Sequence, residues 1–127
     1  MKKKVVITGS WRSASNLVKV RLPLIMFSED DTQIIYCPAL DLSGYGKTEP
    51  EARESFEITF DQFLQYTINK KTLAEELKKL GWELHGKHKP ANPPSMQHSL
   101  EINDNFNRIF NDHPFRKIDE QFEIPVD

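Results

Sequence analysis

Along the first third of the chain, apolar and polar positions alternate with a period of two. Val5 and Ile7 are interleaved with Val6 and Thr8, and after a polar break at 13–16 the alternation resumes. Val18, Val20 and Leu22 then face one way and Lys19 and Arg21 the other, the pattern of a half-buried strand. Pro23 cannot donate a ladder hydrogen bond and marks an edge position or a bulge. The run continues through Leu24–Phe27 to a polar hairpin turn at Ser28–Asp31. Thr32–Cys37 returns as a β-branched and aromatic strand closed by Pro38. A meander of antiparallel strands is the simplest arrangement of these segments.

Beyond Gly46 the period becomes helical. Ala52, Phe56, Thr59, Phe60, Phe63 and Thr67 form one stripe, opposite Glu54, Glu57, Asp61 and Gln65. The three phenylalanines are a large apolar payload, which predicts that this helix lies across the sheet. Thr72 with Glu75 repeats a helix-start signal. Leu73, Leu77 and Leu80 share the next face, and Gly81 is placed to end it. Trp82–Gly86 reads as one more short strand. Residues 87–97, with three prolines and no periodicity, read as a linker or loop. After them, Leu100, Phe106, Ile109 and Phe110 line a short helix, and Phe115–Ile124 a strand ending at Pro125.

These elements predict an α+β fold. An antiparallel sheet of three to five strands is packed on one face by a main helix over about 49–68, with a second short helix over about 73–80. The domain spans 1–86 and includes an added N-terminal strand; 98–127 follow the loop as a C-terminal extension. With 127 residues there is room for one ordinary domain. No apolar run approaches the ~20 residues of a membrane span. The apolar run after the basic start MKKK is too short for a signal-peptide core. A lone cysteine, Cys37, leaves no internal disulfide. These features predict a cytoplasmic protein.

Net charge is −2 but unevenly spread: residues 1–27 carry six Lys/Arg and no acid, and residues 98–127 carry three bases against seven acids. A basic strand face built from Arg12, Lys19 and Arg21 is therefore the candidate contact for nucleic acid or a partner. The bland reading is that basic and acidic segments lie side by side in the fold.

Candidate chemistry narrows quickly. Gly46-Lys47-Thr48 resembles the end of a phosphate-binding loop, but that motif needs an early glycine where Asp41 stands. Glu49 and Glu51 would also repel a phosphate from the first helical turn. The same residues make a good strand-to-helix junction. Thr48 caps the helix, the Glu51 carboxylate reaches back to the Thr48 amide, and Pro50 is tolerated in the first turn. His85 and His88 have no acid or cysteine beside them, and His98 and His113 are separated from them by loops, so the four read as surface histidines and not as a zinc site. Cys37 reads as a small buried hydrophobe. No catalytic, metal or cofactor-binding residue is assigned. A magnesium nuclease centred on Asp41 and Glu51 is the weakest surviving alternative.

Tyr36-Cys37-Pro38-Ala39-Leu40, then Gly44, then Gly46-Lys47-Thr48-Glu49-Pro50-Glu51-Ala52 resembles the HicB-like antitoxin family, over roughly residues 17–68. The structural signature is Pro38, Gly44, Gly46, Thr48, Glu51 and Ala52. The resemblance implies a sheet of three or four strands with a helix on one side, described as like a double-stranded-RNA-binding domain or a reduced ribonuclease H. It also implies a non-enzymatic protein that blocks a small RNA-cleaving toxin by protein–protein contact, as a dimer or higher oligomer. Family members often add a C-terminal DNA-binding module, and no complete one fits residues 98–127. Two alternatives stay open: an RNA-binding module using the basic strand face, and an orphan member of the fold with another role.

Overall fold

A computed structural model describes residues 6–7, 17–83 and 92–125. The strands are β1 (Val6–Ile7), β2 (Leu17–Glu29), β3 (Thr32–Cys37), β4 (Leu42–Gly46) and β5 (Arg116–Pro125). The helices are α1 (Glu49–Asn69), α2 (Leu73–Lys79), α3 (Met96–Ile102) and α4 (Asp104–Asp112). The α+β class is as expected, with β2 to β5 forming an antiparallel sheet.

The strand order is β1-β5-β2-β3-β4. The β2–β3 hairpin follows from its turn, where Asp30 and Asp31 take φ values of 49° and 64°. Aspartate tolerates this left-handed region better than most side chains, and a two-residue turn of this kind matches strand twist. The turn expected at Ser28–Asp31 thus narrows to Asp30-Asp31, leaving Ser28 and Glu29 in the ladder opposite Gln33 and Thr32. Pro23 is opposite Asp119 of β5, whereas pairing of β2 with β3 begins only at Ile25. One flank of Pro23 is therefore a local edge, as its missing amide requires.

The ends of the chain depart from a simple meander. β5 lies between β1 and β2, and β1 pairs with it in parallel, Val6 opposite Gln121. The segment after residue 97, expected as an extension beyond the domain, completes it instead: Phe122 is fully buried in the main core. The expected strand at 82–86 is reduced to a single bridge between Glu83 and Asn92, and the rest of that prediction lies outside the described residues.

Side-chain alternation assigns the two sheet faces. Leu22, Leu24, Met26, Ile35, Phe122 and Ile124 face α1 and α2. From α1 they meet Ala52, Phe56, Phe60 and Leu64, all fully buried. Thr67 completes this stripe, and its hydroxyl donates to the carbonyls of Phe63 and Leu64, so burial leaves no orphan group. On the opposite face Ile25, Phe27, Ile34 and Tyr36 are covered by Phe106 and Ile109 of α4. The sheet is therefore covered on both faces at its hairpin end.

Helix ends correct two expectations. Thr48 caps α1, accepting from the Glu51 amide at 3.3 Å. The Glu51 carboxylate, however, accepts from the amide of Lys47, 3.2 Å away, and not from that of Thr48. The strand leading into α1 brings the Lys47 amide within its reach, so the return bond falls one residue earlier. Thr72 makes no side-chain cap to α2: its ψ of 6° departs from the extended backbone that capping needs. Gly81, at φ 95°, ends this second helical segment as expected. The single predicted C-terminal helix is two, broken at Asn103.

Cys37 is completely buried at the end of β3. Burial pushes its thiol from 9.0 up to about 12. A group whose native pKa is raised stabilises the fold fully below its unfolded pKa, and that contribution is lost as pH rises through the native value. Stability should therefore fall between pH 9 and about 12, and Cys37→Ala should flatten this part of the profile. Iodoacetamide at pH 8 should label the native protein far more slowly than the urea-unfolded chain. Equal labelling rates would contradict the burial.

Candidate functional site

The most connected polar cluster joins the β3–β4 turn to the break between α3 and α4. Alternation along β3 turns Tyr36 toward α4, where its ring lies 6.0 Å from that of Phe106. Its hydroxyl donates to Asp41 Oδ1 at 2.5 Å. Asp41 itself stands at φ 53°, just past the turn in which the Leu40 amide bonds to the Cys37 carbonyl.

Asn103 closes the cluster because it serves two helices at once. It ends α3 and caps α4, its Oδ1 accepting from the Phe106 amide at 3.1 Å. Its Nδ2 donates to the Tyr36 hydroxyl at 2.8 Å and also lies 3.3 Å from Asp41 Oδ1. Asn105 Nδ2 adds a longer contact to the same oxygen at 3.4 Å. Burial raises the Tyr36 phenol well above its ordinary value, and the bond to Asp41 and its negative charge raise it further. The phenol thus stays neutral and holds its proton toward the carboxylate, an arrangement stronger than a neutral hydrogen bond. All three contacts use Oδ1, so among the described residues Asp41 Oδ2 has no hydrogen-bond partner.

Beside the cluster opens a cavity of about 160 Å³. Pro38, Leu80 and Ile102 give it an apolar wall, and Asp41, Ser99, Asn103 and Asp104 a polar one. Lys79 also lines it but is largely exposed and pairs with Glu76 at 3.5 Å.

The residues singled out from sequence fall in two separate places. Lys19 and Arg21 are exposed on the sheet face away from α1. Lys19 is directly opposite Glu123 and Arg21 opposite Gln121. An acid opposite a base on one face forms a cross-strand pair, which is the bland expectation of neighbouring basic and acidic segments. Arg12 lies outside the described residues. Pro38, Gly44, Gly46, Thr48, Glu51 and Ala52 come together along the path from β3 through β4 into α1. A Cβ on Gly44 would stand 2.3 Å from the Phe56 amide nitrogen, and one on Gly46 would stand 2.6 Å from that of Ala52. The glycines thus let the helix backbone lie directly on the strand. Ser55 Oγ also accepts from the Tyr45 amide at 3.1 Å, so α1 partly closes the outer edge of β4, a common way of blunting an edge strand.

Tyr36, Ser99, Asn103 and Asp104 escaped the sequence reading. The one local signal was Asn103, a residue type favoured at helix starts, three positions before Phe106. Asp41 and Glu51, the carboxylates considered for magnesium, have separate tasks: one holds the Tyr36–Asn103 cluster and the other the α1 cap. Among the described residues no three of His, Cys, Asp or Glu gather as a metal site, and no helix is long and apolar enough to cross a membrane. Fold and cluster together define an α+β domain whose sheet is sandwiched between helices at one end. No family, no curated protein and no solved structure matches the chain.

Proposed function

We propose that this chain is a HicB-like interaction domain, non-enzymatic, whose partner is a small RNA-cleaving, toxin-like protein, and which assembles as a dimer or higher oligomer. One observation carries the reading: each residue of the Pro38-to-Ala52 signature has a mechanical task at the strand-to-helix junction. Pro38 starts the turn, Gly44 and Gly46 admit the helix backbone, Thr48 accepts from the Glu51 amide in the first helical turn, Glu51 accepts from the Lys47 amide just before the helix, and Ala52 is fully buried beneath it. A sequence pattern used this completely supports a conserved architecture of the resembling family over a chance string. The separate structural tasks of Asp41 and Glu51 favour binding over metal-assisted cleavage.

Co-expression with the protein encoded next to this chain, followed by pull-down, tests the reading. A small basic partner should co-purify and lose its RNA-cleaving activity in the complex. If no partner co-purifies, the proposal fails. RNA binding by the chain itself is the competing reading, and Glu123 opposite Lys19 weighs against it. Filter binding at two salt concentrations separates the two, because phosphate contacts weaken steeply with salt.

A further inference from the structure

At the hairpin end of the sheet, β2 keeps one flank open. Its pairing with β5 ends at Met26 opposite Arg116, while its pairing with β3 runs on to Glu29 opposite Thr32. Successive residues of a strand point their backbone groups to alternate sides. The two-residue turn joins Glu29 and Thr32 as a hydrogen-bonded pair, so Phe27 and Glu29 bond to β3 and Ser28 points its amide and carbonyl the other way. The far edge of the sheet has the same phase: Tyr45 points away from β3, and its amide donates to Ser55. Opposite Ser28, two residues before Arg116, the chain carries Pro114, which has no amide to offer. Among the described residues no strand pairs with Ser28 on that side.

A groove of about 490 Å³ lies at this open flank. It crosses the sheet edge, because Met26 packs on the α1 side, Phe27 on the α4 side, and both line it with Phe115. Its volume falls within the ~300–1,000 Å³ of ligand pockets. A free strand edge beside apolar side chains suits an extended peptide, whose backbone pairs with the edge while alternate side chains enter the groove. Charge then selects the peptide. Glu49 lines the groove, and Glu29, Asp30 and Asp31 follow Ser28 in the hairpin. The bases nearby are already matched, Arg116 by Glu49 and His113 by Glu29 at 3.2 Å. Asp30 and Asp31 are exposed and form no ion pair among the described residues. A second copy of this chain would bring the same acids face to face, and nucleic acid would be repelled by them. A basic segment is attracted.

We propose that the open edge of β2 at Ser28 receives an extended segment of a basic partner protein, which adds a short strand there and seats an apolar side chain in the groove. The proposal rests on the interaction-domain reading and names its contact surface. Nuclear magnetic resonance titration of the full chain tests it with three probes. These are Ac-Lys-Val-Thr-Val-Lys-amide, its glutamate counterpart, and the lysine peptide N-methylated at its three central residues, whose centre has no donor for the Ser28 carbonyl. The amides of Ser28, Phe115 and Arg116 should shift and saturate with the lysine peptide, and both other probes should bind far more weakly. Ser28→Pro removes the outward amide without touching the β3 ladder and should weaken the lysine peptide about tenfold, the effect of one hydrogen bond. Asp30→Asn combined with Asp31→Asn keeps residues that tolerate the turn. It should weaken the same peptide several-fold at low salt and less at high salt, with the thermal midpoint within a few degrees. Non-saturating shifts, equal binding of the N-methylated or glutamate probe, or unchanged binding by the double variant would overturn the proposal. Shifts at Ser28 and Arg116 that grow with protein concentration alone would assign the edge to a second copy and overturn it too. The two readings can fail separately. A co-purifying partner that the double variant leaves fully bound would end this contact and spare the interaction domain. Saturable peptide binding with no partner captured would do the reverse.

Discussion

Phe122→Ala should destabilise the protein by about 4 kcal/mol, within the range for truncating a buried phenylalanine. Its ring is fully buried, with edge-to-face contacts to Phe60 at 5.1 Å and Phe56 at 6.1 Å. Such aromatic pairs contribute about 0.5–1.5 kcal/mol beyond area burial. The cavity left behind would open between α1 and the sheet, where β5 is held by β1 on one side and β2 on the other, so it has little room to collapse. Domains of this size are typically stable by about 5–15 kcal/mol, so the loss would consume a large share of the total. Urea unfolding should show a lower midpoint with little change in slope. Lys117→Ala, an exposed change on the same strand, should stay within about 0.5 kcal/mol. A Phe122→Ala protein as stable as the parent would mean that β5 does not lie inside the sheet.

How much of this was legible beforehand depended on whether the information was local. The alternation at Val18–Leu22, the Asp30-Asp31 turn and the Phe56–Phe60–Phe63 stripe are local, and the elements they predict are present. Strand neighbours are not local. Alternation in β5 tells which residues share a face but not that the strand inserts between β1 and β2. Glu120 obscured even the face, because it sits among Ile118, Phe122 and Ile124. It is tolerated there by Arg53 of α1, 2.8 Å away. The second layer of helices left a trace in β2. Lys19 and Arg21 show the alternation of a strand with one open face, whereas Leu24–Phe27 is apolar at every position, as in a strand buried on both sides. That change marks where α4 begins to cover the sheet. The candidate site had no such trace, since Asn103 lies 67 residues from Tyr36 and 62 from Asp41. Only the folded chain brings them together.

Gly44→Ala tests the junction on which the functional reading stands, and it should cost about 3 kcal/mol, the upper end for overpacking. The added methyl would lie 2.3 Å from the Phe56 nitrogen, 2.5 Å from the Ala52 carbonyl oxygen and 2.6 Å from the Phe56 Cα. All three are backbone atoms of α1, so no side-chain rotation relieves the contact. Replacing a glycine ordinarily gains about 0.4–1 kcal/mol by restricting the unfolded chain, which is too little to offset a displaced helix. To make room, α1 would have to lift from β4. That would loosen Phe56 from the core and break the bond from the Tyr45 amide to Ser55 that closes the strand's outer edge. The variant should therefore combine a lower urea midpoint with a greater tendency to self-associate, read by light scattering at equal concentration. Gly46→Ala should show the same effect, because its neighbours are Glu51 Cβ at 2.5 Å, the Ala52 amide nitrogen at 2.6 Å and the Glu51 carbonyl carbon at 2.8 Å, none of which a side-chain rotation can move. If Gly44→Ala folded with parental stability, the glycines of the signature would have no mechanical reason to be there, and the support they lend to a HicB-like architecture would be gone.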